Sequence, residues 1–204
     1  ITVPYKERVI PFLEDQSDLS RQTKSVNTIF NKKGKIYGDN TDVYGFEKSI
    51  TNEKINLQNK SVLIFGAGGV VPSIIFALNK MKVSEIIVSN RTKSKAEELK
   101  NLFKNLKIVE WGDIPEFDMI INATSIGLNK DDKINLDFYK MGKNKLFYDV
   151  IYNPNQTNFL MTGKKLGNKT ENGKLMFIYQ AFLAFNLWHG VQPRIDDDVI
   201  KLLD

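Results

Sequence analysis

The stretch that most constrains this chain is Val62-Leu63-Ile64-Phe65-Gly66-Ala67-Gly68-Gly69. A short, unbroken apolar run stops at glycines and passes into a helical pattern that reaches about Lys80. A strand that is apolar on both faces belongs inside a sheet covered from both sides. Gly66 allows a tight turn, and Gly68 lets the backbone approach a pyrophosphate. The helix behind them offers free N–H groups and a positive dipole end. The usual third small residue falls at Val71, which is bulkier. Glycines alone are a weak signal, and a plain connecting turn is the alternative; the strand-turn-helix context strengthens the nucleotide reading.

The same alternation continues. Ser61–Phe65, Glu85–Ser89, Lys107–Glu110, Asp118–Asn122 and Leu146–Val150 read as short apolar strands, with helices expected over Ser94–Lys104 and Asn155–Leu166. This spacing predicts parallel βαβ units, hence an α/β protein with a doubly wound parallel sheet. The flanks differ. Val3 is biased to extended geometry by Pro4, and Lys6–Leu13 is expected to form a short helix. Ser25–Phe30 and Lys35–Tyr37 frame the polar turn Asn31-Lys32-Lys33-Gly34 as a hairpin. The loop Gly38-Asp39-Asn40-Thr41-Asp42 then opens a helix to Ile50. In the tail, Asn172–Gly190 is a long helical pattern and Ile195–Leu203 a short one. Residues 1–44 are expected to form a smaller α/β substrate domain, 45–172 the nucleotide domain, and 173–204 helices that return to the substrate domain.

The end of the second strand bears on the cofactor. Folds that choose NAD carry an acid there for the ribose diol. This chain has Asn90-Arg91-Thr92, with Lys95 just beyond. A guanidinium and a hydroxyl suit a 2′-phosphate, so NADP(H) is expected. An ordinary helix start capped by Thr92 is the bland reading of the same residues.

Composition removes other classes. The net charge is +5, from 29 basic and 24 acidic side chains. The lysines are scattered, which argues against a nucleic-acid footprint while favouring anionic small molecules. The uncharged run Val62 to Leu78 is short of a membrane span and holds three glycines and a proline. With no cysteine, disulfides, thiolate zinc and a cysteine nucleophile are excluded, and a cytoplasmic location fits. No metal site is expected.

Reducing a ketone by hydride leaves an alkoxide that needs a proton. A lysine ammonium can supply it, and a neutral lysine can remove it in reverse. Lys6 follows a proline turn, and Asp42 lies in the Gly-Asp-Asn-Thr-Asp loop. If they meet, the carboxylate orients the ammonium; a pair at ~4 Å interacts by roughly 4 kcal/mol at an effective dielectric near 20.

Taken in order, Thr2-Val3-Pro4-Tyr5-Lys6-Glu7, Val26-Asn27-Thr28, Gly38–Asp42, Gly66–Gly69 and Asn90-Arg91-Thr92 resemble the shikimate dehydrogenase family. The match continues through Asn122-Ala123-Thr124-Ser125-Ile126-Gly127, Asp149-Val150-Ile151-Tyr152-Asn153-Pro154 and Gly173–Gln180, nearly the whole chain. The resemblance implies a Rossmann-type domain joined to a smaller substrate domain, and NADPH-dependent reduction of 3-dehydroshikimate to shikimate. It implies Lys6 and Asp42 as the catalytic pair, Thr2, Asn27 and Gln180 on the substrate hydroxyls, and Tyr152 near the substrate carboxylate. It also implies that Gly66, Ala67, Gly68 and Gly69 cradle the pyrophosphate. Asn90, Arg91, Thr92 and Lys95 would face the 2′-phosphate, and Asn122, Thr124 and Ser125 would border the cofactor. The expected partners are the small-molecule substrate and NADP(H), with no nucleic acid and no membrane, in a monomer or homodimer.

Three departures accompany the resemblance. The family begins with a segment ahead of Thr2 that includes two serines on the substrate carboxylate, so a truncated substrate domain is expected here. Val71-Pro72-Ser73 stands where the family often has an arginine for the 2′-phosphate. Val70 and Val71 are larger than the usual small residues. Two other readings stay open: a quinate/shikimate dehydrogenase using NAD, and a non-catalytic metabolite-binding relative. His189, the only histidine, reads as a helix-end residue rather than a catalyst.

Overall fold

The computed structural model describes residues 1–203. The chain forms two compact units. One takes 1–56, 69–77 and 175–200; the other takes 57–68, 78–174 and the residues from Lys201.

The first unit holds β1 (Asp15–Gln16), α1 (Asp18–Thr23), β2 (Thr28–Lys32), β3 (Lys35–Asp39) and α2 (Asp42–Asn52). Its three strands are ordered β1-β3-β2. The hairpin expected from the sequence is β2–β3, antiparallel, with Lys32 opposite Lys35. Lys33 and Gly34 both take positive φ, the geometry of a two-residue turn matched to strand twist. The expected helix over Lys6–Leu13 is absent. Only a single 3-10 turn forms, over Ile10–Phe12, because Pro11 has no N–H to give and fixes its own φ. The sequence pattern announces neither β1 nor α1; Ser17 caps α1 by accepting from Ser20 N at 3.1 Å.

Helix α2 belongs wholly to the first unit, past Tyr44. Val43, Phe46 and Ile50 form one buried stripe at helical spacing, so the element packs as a whole. A Cβ at Gly45 would lie 2.5 Å from the backbone oxygen of Met176. The glycine therefore lets α6 (Lys174–His189) run directly against α2.

The second unit is built on a six-stranded parallel sheet: β4 (Ser61–Phe65), β5 (Glu85–Ser89), β6 (Leu106–Val109), β7 (Met119–Asn122), β8 (Leu146–Asp149) and β9 (Lys169–Glu171). The spatial order is β6-β5-β4-β7-β8-β9. The sheet thus grows one way from β4, then restarts on its other side at β7. Ligands bind doubly wound sheets outside the carboxyl ends at such a switch point. On one face Leu63, Phe65, Ile120 and Phe147 pack with Phe117, Phe138, Phe159 and Leu160. Alternation sends Val62 and Ile64 to the opposite face, and these are fully buried as well. Each such burial contributes about 1.5–3 kcal/mol.

Some boundaries move. Helix α4 (Lys93–Leu99) is shorter than expected; Lys100, Asn101 and Leu102 donate to carbonyls three residues back, which tightens and ends the helix. Helix α5 spans Asn158–Lys165 because Thr157 caps it. Strand β9 has no sequence signal, since Lys-Thr-Glu on a sheet edge carries no apolar run. The chain ends with α7 (Asp197–Lys201). Among the described residues, no helix is long and apolar enough to cross a membrane.

Candidate active site

Lys6 and Asp42 meet in the first unit. Lys6 Nζ donates to Asp42 Oδ2 at 2.5 Å, and both residues are buried, at 9% and 5% exposure. An ion pair so withdrawn from water is held only with further hydrogen bonds, and these are present. Asn27 Nδ2 donates to Asp42 Oδ1 at 2.9 Å and to Thr41 Oγ1 at 2.9 Å. Asn27 Oδ1 accepts from Thr41 N at 2.9 Å.

The backbone of Asp42 is fixed by Asn40, a residue whose sequence context marks only a loop. Asn40 Oδ1 accepts from Asp42 N at 3.0 Å, so Asn40 caps α2. Thr41, the formal N-cap residue, makes no side-chain cap bond. The Asn40 amide donates to Thr23 Oγ1 at 3.0 Å and to Ser73 Oγ at 2.9 Å. Ser73, in the Val71-Pro72-Ser73 stretch, is thus a buried acceptor.

The glycine turn has the shape its sequence implies. Gly66 sits at φ +112°, and a Cβ there would come within 2.6 Å of the Ala123 carbonyl oxygen. Only glycine fits both demands. A Cβ at Gly68 would meet nothing within 4 Å, and Gly68 is exposed. Its backbone is open to a bulky anion, next to the start of α3 (Val71–Lys80). Ala67 is half-buried. A Cβ at Gly69 would lie 3.8 Å from Lys6 Cβ, and Ser25 Oγ donates to the Gly69 carbonyl at 3.2 Å. The last glycine of the turn therefore borders the lysine. A pyrophosphate cradle fits these residues.

Asn122 ends β7 beside that turn and is fully buried. Its amide donates to Ile126 O at 3.0 Å and to Asp149 Oδ1 and Oδ2 at 3.1 Å. Its carbonyl accepts from Thr124 N at 3.1 Å and Thr124 Oγ1 at 2.7 Å. The side chain is fully committed within the protein. Thr124 is half-buried and Ser125 exposed. Asp149 also accepts from Thr157 Oγ1 at 2.6 Å and Ile151 N at 3.0 Å. Burial pushes its carboxyl up to about 6, against the pull of the Thr157, Ile151 and Asn122 hydrogen bonds.

At the end of β5, Asn90 Nδ2 donates to Thr92 O at 2.8 Å and so shapes the turn. Arg91, Thr92 and Lys95 are exposed. Lys93, also exposed, is paired with Glu110. Of the expected substrate residues in the first unit, Asn27 is buried, Gln180 half-buried and Thr2 exposed. Gln180 Oε1 lies 3.4 Å from Asn27 Nδ2, while Gln180 Nε2 donates to Phe177 O at 2.9 Å. Tyr152 is half-buried in the second unit, after β8.

Residues 48–150 match the profile of the family described as Shikimate / quinate 5-dehydrogenase. The shikimate dehydrogenase (NADP(+)) of Pelagibacter ubique is 53% identical over 204 residues, covering 100% of this chain and 77% of that protein. That of Caldicellulosiruptor saccharolyticus is 40% identical, over 100% of this chain and 76% of its own length. The crystal structure of shikimate 5-dehydrogenase from Thermus thermophilus, in complex with NADP(H) and shikimate, superposes with a TM-score of 0.87 at 31% identity. The superposition covers 99% of this chain and 76% of that one. With a doubly wound sheet, a glycine turn and a buried Lys–Asp pair in place, the chain belongs to the shikimate / quinate 5-dehydrogenase family.

Proposed function

We propose that this chain reduces 3-dehydroshikimate to shikimate with NADPH, reversibly, and that Lys6 is its proton donor. The observation that carries the residue assignment is the buried contact of Lys6 Nζ with Asp42 Oδ2 at 2.5 Å. NADPH, when bound at the glycine turn, supplies the hydride. As negative charge develops on the carbonyl oxygen, Lys6 gives it a proton, and the C–O⁻ becomes C–OH. Asp42 holds the ammonium in place and keeps a counter-charge beside it. In reverse, neutral Lys6 takes the hydroxyl proton. Positioned acid–base groups of this kind contribute typically about 10²–10⁴-fold.

The family resemblance supplies the roles read for the remaining residues, and their surroundings are compatible with them. Thr2, Asn27 and Gln180 offer hydroxyl and amide groups to a polyhydroxylated ring, for which unpaired polar groups in a closed site are costly. Tyr152 serves the substrate carboxylate. The open backbone of Gly68 suits the pyrophosphate, with Gly66, Ala67 and Gly69 shaping the turn. Asn90 orders the segment from which Arg91, Thr92 and Lys95 meet the 2′-phosphate. Thr124 and Ser125 border the cofactor, and Asn122 acts through the loop it holds. Cytoplasmic location and a monomer or homodimer belong to the same reading.

The test is loss of NADPH absorbance with 3-dehydroshikimate, run beside quinate with NAD. Turnover of the first mixture at least tenfold faster is expected. Faster quinate oxidation would replace this reading with the quinate one that the family description also covers.

A further inference from the structure

We propose that Asp149, a group the reaction does not use, is a positioning residue for the NADP site, acting through Asn122 on the loop from Ala123 to Gly127. The inference rests on the NADP reading above. Asp149 is fully buried, and the shift of its carboxyl to about 6 comes from burial, with no charged partner among its causes. A buried carboxyl without a cation is costly. Its position is accounted for by what it grips.

The grip runs in one direction. Asp149 ends β8 and receives the Asn122 amide from the neighbouring strand end. Asn122 in turn holds Ile126 O and both polar groups of Thr124, and Thr124 Oγ1 accepts from Ile126 N at 3.0 Å. The loop is thereby closed on itself. Its first residue, Ala123, donates to Phe65 O at 2.8 Å and puts its carbonyl where a Cβ on Gly66 would collide. So the carboxylate sets the orientation of Asn122, Asn122 sets the loop, and the loop sets one wall of the glycine turn.

The near-isosteric Asp149→Asn tests this. Its amide keeps one acceptor and turns an N–H₂ towards the Asn122 and Thr157 donors. NADPH and shikimate affinities are measured separately by equilibrium titration, with thermal melting as a check on folding. The expected result is a rise of at least fivefold in the NADPH dissociation constant, with shikimate affinity within twofold of wild type. An unchanged NADPH affinity, or equal losses for both ligands, overturns the proposal. Asn122→Ala removes the intermediary, and with it the hold on Ile126 O and Thr124. It is expected to raise the NADPH dissociation constant at least as far as Asp149→Asn, again with shikimate affinity within twofold of wild type. Should Asp149→Asn not fold, Asn122→Ala decides alone: a loss of NADPH affinity of fivefold or more with shikimate affinity kept supports the proposal, and a smaller loss, or equal losses for both ligands, overturns it. Wild-type protein that binds no NADPH would instead refute the functional reading itself.

Discussion

Asn27 Nδ2 donates to Asp42 Oδ1 at 2.9 Å while Lys6 Nζ holds Oδ2 at 2.5 Å. The carboxylate is therefore gripped on both oxygens and cannot rotate away from the lysine. Lys6→Met should cut kcat by about 10²–10⁴-fold and leave shikimate affinity within about threefold. It also strands a buried carboxylate, which costs about 3–5 kcal/mol. Lys6→Met/Asp42→Asn should recover most of that stability and none of the turnover. Steady-state kinetics with denaturant melts separate the two effects; a double variant that regained turnover would remove Lys6 from the chemistry.

Asn40 is the next support. Its carbonyl caps Asp42 N, and its amide is shared between Thr23 and Ser73. Asn40→Ala removes a cap worth roughly 0.5–2 kcal/mol and leaves two buried hydroxyls without a donor. We expect a loss of about 2–4 kcal/mol in unfolding free energy and a kcat lowered more than tenfold with a small change in KM. Asn40→Ser, which retains a cap oxygen, should recover part of the stability. A kcat equal to wild type in a folded Asn40→Ala would show that Asp42 needs no such brace.

The two glycines of the turn should respond differently. Gly66→Ala forces φ +112° on a residue with a Cβ and drives that atom to 2.6 Å from the Ala123 carbonyl, so it should destabilise the fold by several kcal/mol. Gly68→Ala meets nothing within 4 Å. It should melt like wild type yet bind NADPH at least tenfold more weakly, because the methyl occupies the approach to the pyrophosphate. Melting curves and NADPH titrations on both variants check this; normal NADPH affinity in Gly68→Ala would remove the cradle assignment.

Much of this is legible in the sequence, for identifiable reasons. The strand Ser61–Phe65, the glycine turn and the helix to Lys80 stand where the pattern puts them, because apolar continuity and glycine punctuation are local signals. The Lys6–Asp42 contact spans a separation of 36 residues and is reached only through resemblance; no periodicity connects those positions. Asn40 and Asp149 carry, in the sequence, only the marks of a loop and of a motif. Their roles are hydrogen bonds to groups distant in sequence, and burial of a polar side chain has no periodic signature. Strands β1 and β9 escape because two or three polar residues carry no pattern of their own. The helix expected at Lys6–Leu13 fails on Pro11, a signal that is present and outweighs the apolar spacing around it.

Arg91 should decide cofactor choice. It is exposed at the end of β5, whereas neighbouring Lys93 is paired with Glu110. Arg91→Ala should weaken NADPH binding about tenfold, as expected for a charge-assisted contact worth about 1.5 kcal/mol, and leave NADH within twofold. Raising the salt concentration should narrow the difference between wild type and variant. Parallel loss of both cofactors would place the 2′-phosphate elsewhere.

Asp149 should also mark the pH dependence of stability. Its carboxyl has an ordinary value of 3.8 and is raised to about 6 in the folded chain. Between those values the folded state holds more protons than the unfolded one, so stability falls as pH rises through that window. Below pH ~3 both states are protonated and the penalty vanishes; above pH ~7 both are ionised and it is complete, at about 3 kcal/mol. Asp149→Asn has no such titration. The difference in unfolding free energy between wild type and Asp149→Asn, measured in urea at several pH values, should therefore shift against the wild type from about pH 4 to 7. Other titrating groups cancel in that difference. A difference that stays flat across the interval would mean that the buried carboxyl ionises as easily folded as unfolded.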